Sequence, residues 1–299
     1  MSNVYVHPDM AAIMAAAGPA PDYQGMSLAE ARPIFVKLNE VWNADRPAVA
    51  ETRDLSIERP WGKMRAKLLR PTAAKNLPVL LFVHGGGWTF GSIDSHLGSM
   101  TRLAIESGAA VLGIDYRLAP EHPFPAAIED THAALDAIAG GLLGDAVDAS
   151  RIAIGGDSAG AGITLLSLAG HEWRKRVRAA CLFYGCFTPM FDTASHAKFG
   201  PGGYVLTSKR MRWYWDNWRG PATLPDLTGL PKLYLSAAAL DPLRDETPDL
   251  ANKLAEAGND VRLDVFAGVC HGFMQMSSKL EPARKAHRVA GQFLAEALK

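Results

Sequence analysis

Apolar and polar positions alternate with two different periods along this chain. From residue 1 to 50 the period is helical. Asp9–Ala17 is a short apolar run stopped by Gly18-Pro19, and Leu28, Ala31, Phe35, Leu38 and Trp42 form a stripe at helical spacing behind a Ser27/Glu30 capping box. Pro33 interrupts the stripe, which predicts a kink or a later helix start. From Glu51 the pattern becomes that of strands: Thr52–Glu58 and Met64–Arg70, with Pro60-Trp61-Gly62 as the turn between them. The apolar runs Val79–Val83, Ala109–Asp115, Ile152–Ile154 and Ala179–Tyr184 then alternate with helical patterns over Ser95–Glu106, Ala126–Ala139 and Ala159–Lys175. Continuous apolar strands separated by helices predict a parallel sheet covered on both faces. Residues 186–225 break the rhythm with many aromatics and the run Gly200-Pro201-Gly202-Gly203, and read as an insertion above the sheet, helical over Ser208–Trp218. Lys232–Ala237 (strand), Glu246–Ala257 (helix), Val261–Phe266 (strand) and Pro282–Leu298 (helix) close the pattern.

Composition narrows the function classes. The chain has 299 residues, 48% hydrophobic and 21% charged, as expected of a globular fold. Its 31 basic and 31 acidic residues cancel, so no basic footprint points to nucleic acid. No window approaches a membrane span and no basic n-region opens a signal peptide. Cys181, Cys186 and Cys270 are too sparse for a disulfide framework, which fits a reducing, cytoplasmic setting.

The chemistry concentrates where the apolar run Ile152–Ile154 meets a helix. Gly156-x-Ser158-x-Gly160 lies between them, the pattern of a nucleophile elbow. A serine at a sharp strand-to-helix turn has its hydroxyl exposed, and side chains two residues away on either side would collide. In enzymes with this elbow the acid and then the base follow the serine. That order leaves only His271 and His287 of the nine histidines, the two that lie beyond the candidate acids, and His287 falls within a helical pattern. His271, just past a strand, is the expected base. Asp241 and Asp245 compete as the orienting acid; Asp241 follows the strand end, whereas Asp245 sits where a helix begins and would serve as its N-cap. His84-Gly85-Gly86-Gly87 follows a buried strand, so the N–H groups of Gly85 and Gly86 are expected to join that of Ala159 in an oxyanion hole, with His84 structural. A dinucleotide fingerprint fails at Leu165, where a third glycine belongs; no phosphate loop exists, and His171-Glu172 lacks a second histidine at 175. No metal or organic cofactor is expected.

His84-Gly85-Gly86-Gly87-Trp88, Asp115-Tyr116-Arg117-Leu118-Ala119-Pro120-Glu121-His122-Pro123-Phe124-Pro125-Ala126, Gly156-Asp157-Ser158-Ala159-Gly160, Asp241-Pro242-Leu243-Arg244-Asp245 and His271-Gly272-Phe273 together resemble the hormone-sensitive-lipase-like α/β-hydrolases, the bacterial family IV carboxylesterases. The resemblance runs from about residue 50 to the end. It implies an α/β-hydrolase fold, a mostly parallel sheet flanked by helices, with a helical cap. The expected division is 1–50 and 186–225 as cap, and 51–185 with 226–299 as core. It implies a serine esterase with Ser158, Asp241 and His271 as triad, and Gly85, Gly86 and Ala159 as oxyanion hole. Arg117 and Glu121 are expected in a structural network beneath the site. Trp88, Asp157, Phe191, Tyr204 and Trp213 are expected to contact substrate, with Phe35, Trp42 and Phe199 as further lining. Bulky aromatics should leave a compact pocket for short- to medium-chain or aromatic esters. The chain departs from the family at Ala161-Gly162-Ile163, where Gly-Asn-Leu is usual, which leaves the pocket floor open. The expected partner is a small ester, with no nucleic acid or membrane; a homodimer stays open. An amidase or formamidase, or a non-catalytic small-ligand receptor, is the alternative.

Overall fold

The computed structural model describes residues 4–18 and 21–299. Its strands are β1 (Glu51–Ile57), β2 (Met64–Arg70), β3 (Leu77–Val83), β4 (Ala110–Ile114), β5 (Val147–Asp157), β6 (Val177–Phe183), β7 (Lys232–Leu240) and β8 (Val261–Cys270). They form one sheet in the order β1-β2-β4-β3-β5-β6-β7-β8. The β1/β2 hairpin joins it antiparallel through β2 and β4, and every later neighbour is parallel. The hairpin strands alternate or are polar on one side, while β3, β4 and β6 are apolar nearly throughout, because helices cover both of their faces.

The helices are α1 (Pro8–Ala16), α2 (Leu28–Glu40), α3 (Ile93–Ser107), α4 (Ala126–Ala139), α5 (Ala159–Leu168), α6 (Ala194–Phe199), α7 (Ser208–Trp218), α8 (Glu246–Glu256) and α9 (Glu281–Ala297). The period-2 alternation of β3 divides the core. Val79, Leu81 and Val83 face a cluster containing Leu135, Ile163 and Leu254 of α4, α5 and α8, whereas Leu80 and Phe82 face Met100, Leu103, Ala290 and Leu294 of α3 and α9. At about 25 cal/mol per Å², such full burial of a Leu or Ile contributes roughly 2 kcal/mol.

Several boundaries differ from the sequence reading, and three of them have a local cause. The helix expected over Ala159–Lys175 ends at Leu168, and Glu172–Lys175 is a separate 3-10 turn after Gly170, whose φ is +70°. β8 continues past Phe266 to Cys270 because Gly268, at φ +71°, absorbs a register shift against β7. Helix α2 starts at Leu28 behind the Ser27/Glu30 box and runs through Pro33 as one element, so the later start is not adopted.

Tertiary hydrogen bonds attach α1, α2 and the segment after α2 to the rest of the fold. His7 N donates to the Gly268 carbonyl; Glu281 N donates to Asp9; Asn43 joins Asp94 and Gly98 at the start of α3. Arg32 of α2 reaches Thr89 O, Ala119 O and both carboxylate oxygens of Glu121. Arg117 likewise pairs with Asp130 and Glu129, so both charged residues of the 116–126 segment are held in ion pairs away from the reacting groups. Among the described residues no helix is long and apolar enough to cross a membrane.

Candidate active site

β5 ends at Asp157 and α5 begins at Ala159, so Ser158 alone makes the turn. Its backbone stands at φ +54°, ψ −120°, a conformation costing a non-glycine residue about 1–3 kcal/mol. Ser158 N donates to Phe183 O on the neighbouring strand, which holds the turn. The turn also needs Gly160: a Cβ there would lie 2.0 Å from the Val83 carbonyl oxygen. Asp241 follows β7 directly and His271 follows β8, so all three side chains stand at the carboxyl ends of parallel strands.

His271 Nε2 lies 2.8 Å from Ser158 Oγ, and His271 Nδ1 lies 2.6 Å from Asp241 Oδ2. An ionised carboxylate only accepts, so Nδ1 carries the proton and Nε2 is free to accept from the serine hydroxyl. Asp241 is fully buried, and its other oxygen accepts from Leu243 N at 2.9 Å. His287 is instead buried on the inner face of α9, its Nδ1 on Ala283 O. Asp245 also turns away. Its carboxylate accepts from Ser195 N and pairs with Arg244, so it supports the start of α6 and leaves its own helix without a side-chain cap. The three cysteines are free and buried, and burial pushes the Cys270 thiol up to about 12, which keeps it protonated beside His271.

The glycine loop changes one expectation. Gly85 N donates to Asp157 Oδ1 at 2.9 Å, so it is already occupied and does not face the serine. The N–H groups of Gly86, Gly87 and Ala159 have no acceptor among the described residues, and Gly86 and Gly87 line the same cavity as Ser158. Gly87, which the sequence reading does not single out, thus offers its N–H where Gly85 was expected to; it stands at φ +59°, and a Cβ there would meet the Tyr214 ring at 2.4 Å. His84 is structural: it is buried, bonds Gly85 O through Nδ1 and stacks on Tyr116. Burial, with His96 nearby, lowers its pKa to about 3, so it stays neutral.

Asp157 lines the cavity but holds the loop. Besides Gly85 it approaches His96, Tyr184 and Gln275. Burial opposes its charge, but the charge and hydrogen bond of His96, with the Gly85 N–H, outweigh that and keep it below the usual carboxylate range.

The cavity over Ser158 has a volume of about 1130 Å³. Tyr204, Phe35 and Trp42 line it as expected, on walls contributed by α1, α2, the 203–207 loop and α7. Trp88, Phe191, Trp213 and Phe199 do not. Trp88 is buried, stacked on Trp218 at 4.1 Å; Phe191 packs on His196 and Arg212; Trp213 meets Phe90; Phe199 is buried against Tyr204. These aromatics fill the base of the insertion instead of the pocket, so the cavity is not compact. The unanticipated lining residues include Tyr23, Arg210, Met211, Tyr214, Gln275 and Met276.

Comparison with known proteins bears on the fold and the family. Residues 80–275 match the alpha/beta hydrolase fold family. The carboxylic ester hydrolase LipN of Mycobacterium tuberculosis is 34% identical over 246 residues, covering 76% of this chain and 65% of LipN, just under two thirds of that relative's length. The carboxylesterase NlhH of the same organism is 32% identical over 231 residues, 72% of each chain. A solved esterase of Pyrobaculum calidifontis superposes with a TM-score of 0.90 at 30% identity, covering 98% of this chain and 100% of that one.

Proposed function

We propose a reaction path from one premise: this chain belongs to the hormone-sensitive-lipase-like family of α/β-hydrolases and is a carboxylic ester hydrolase. That premise sets aside the non-catalytic receptor. Ser158 Oγ attacks the ester carbonyl while His271 Nε2 takes its proton, and Asp241 holds the imidazole and its developing charge. The carbonyl oxygen gains negative charge among the N–H groups of Gly86, Gly87 and Ala159, at the positive end of α5. His271 then protonates the leaving alcohol, which departs as the tetrahedral adduct collapses to an acyl-enzyme on Ser158. Water, deprotonated by His271, attacks the acyl carbon; a second collapse releases the acid and returns the proton to Ser158.

The observation that carries this reading is the chain of two short hydrogen bonds from Ser158 through His271 to buried Asp241, opening into the cavity. The substrates are short- to medium-chain or aromatic esters. A volume of about 1130 Å³ favours the medium and aromatic end of that range, since ligand pockets commonly span about 300–1,000 Å³. Ser158→Ala should lower turnover by about 10⁴-fold or more with the fold intact, and a fluorophosphonate probe should label wild type alone. Labelling of the variant would assign the nucleophile to another residue.

A further inference from the structure

The cavity walls hold a cation that the reaction path does not use. Arg210, part-buried on α7, lies beside the Tyr23 ring, with its guanidinium carbon 5.5 Å from the ring centre. Among the described residues its guanidinium makes one hydrogen bond, a long one of 3.4 Å from Nη2 to Pro21 O. No carboxylate lies within ion-pair distance of it among the described residues, and the undescribed positions 1–3 and 19–20 carry none. Tyr23 and Tyr214 line the same cavity, and neither hydroxyl has a hydrogen-bond partner among the described residues. Burial raises both phenol pKa values, with Arg210 opposing the rise, so both remain O–H donors at neutral pH.

Helix geometry ties this group to the reaction centre. Arg210 and Tyr214 are four residues apart and share one face of α7. The Tyr214 ring rests against Gly87, so Arg210 is about 6 Å further along the helix axis. The lining contains two carboxylates, and both are engaged: Asp157 by Gly85 and His96, and Asp9 by Glu281 N and His7. Exposed Lys279 lines the same cavity, again with no ion pair among the described residues. The wall thus presents a guanidinium, two phenol donors and a rim ammonium with no carboxylate paired to them among the described residues.

We propose that Arg210, with Tyr23 and Tyr214, forms a subsite for a carboxylate carried by the ester substrate, so that the preferred substrates are acidic half-esters or acyloxy acids. The proposal deepens the ester-hydrolase reading and rests on it. A planar guanidinium matches a carboxylate, and two O–H donors complete the acceptor positions. A neutral ester of the same shape leaves the two phenols without a partner and the guanidinium with only its long bond to Pro21 O, which is the stronger source of discrimination.

The test measures binding to Ser158→Ala, where no turnover intervenes. Calorimetry would compare 4-butyryloxybenzoate and the phenyl half-ester of adipic acid with their neutral carboxamides, placing the carboxylate on the alcohol or the acyl side. At least one acid should bind about tenfold tighter than its amide. Adding Arg210→Gln should bring that ratio near one; adding Arg210→Lys should retain part of it, and added salt should weaken it. Equal affinity of acid and amide on both sides, or a preference unchanged by Arg210→Gln, overturns the subsite. Turnover of the neutral amides by the enzyme with Ser158 intact, and its loss in Ser158→Ala, separately checks the reaction path.

Discussion

At the sheet edge the reacting side chains are each held from behind, whereas the helices above them leave polar groups facing the cavity. Ser158 is fixed by its backbone turn, His271 by Asp241, Asp241 by Leu243 N, and the glycine loop by Asp157. Over the cavity, Arg210 is held only by a long bond to Pro21 O and the face of Tyr23, the Tyr23 and Tyr214 hydroxyls have no partner among the described residues, and Leu38 and Val41 of the α2 region remain about half exposed while lining it. The two regions answer different demands. Proton transfer needs geometry kept to a fraction of an ångström, so each group requires a second partner. Substrate recognition needs donors and apolar surface left without internal partners, because the substrate itself must satisfy them.

The largest effect expected from breaking this contrast is at Asp241. Asp241→Asn should slow kcat by about 10⁴-fold, because an amide can present the wrong partner to Nδ1 and lose the productive tautomer. Asp245→Asn, four residues on, should leave kcat nearly unchanged and cost about 1 kcal/mol or less in denaturant unfolding, since it serves α6 and Arg244. The reverse ranking would exchange the roles of the two carboxylates.

Glu246 offers a second comparison within the same segment. It is buried, accepts from Phe187 N and Thr188 N, and burial pushes its pKa from 4.5 up to about 8, with the two hydrogen bonds pulling down and Asp241 adding to the rise. The folded chain therefore holds this proton more tightly than the unfolded chain. Its contribution to stability is complete below about pH 4.5 and is lost as pH rises to about 8. Denaturant unfolding from pH 5 to 9 should show this decline, on the order of a few kcal/mol at most, and Glu246→Gln should flatten it. An identical slope in the variant would place the titrating group elsewhere.

The smallest effect lies in the walls. Each acyl methylene that enters the cavity should add about 0.8 kcal/mol to transition-state binding until contact with the far side. Specificity toward p-nitrophenyl esters should rise to about six carbons and fall for much longer chains. Phe35, which lines the cavity and stacks on Phe90 at 5.3 Å, should set part of that limit. Phe35→Ala should shift the optimum to longer chains while leaving phosphonate labelling of Ser158 intact. An unchanged profile would remove α2 from the acyl wall.

The elements were legible in the sequence because their causes are local. Apolar runs marked the parallel strands, the Ser27/Glu30 box marked α2, and Gly156-x-Ser158-x-Gly160 marked a strand-to-helix turn by the spacing of five successive residues. The positions of Ser158, Asp241 and His271 at strand ends were readable for the same reason, since a parallel sheet brings successive carboxyl ends to one edge. What tertiary structure alone decided was contact across the chain. Whether Gly85 N–H faced the cavity depended on Asp157, 72 residues away, and the fate of Asp245 depended on Ser195, 50 residues away. Aromatic residues in the insertion have no periodic signal that separates core from lining; Phe199 and Trp213 went to the former and Tyr214 to both. Side-chain burial is set by the shape of the opposing surface, and that surface exists only once the strands and helices have packed.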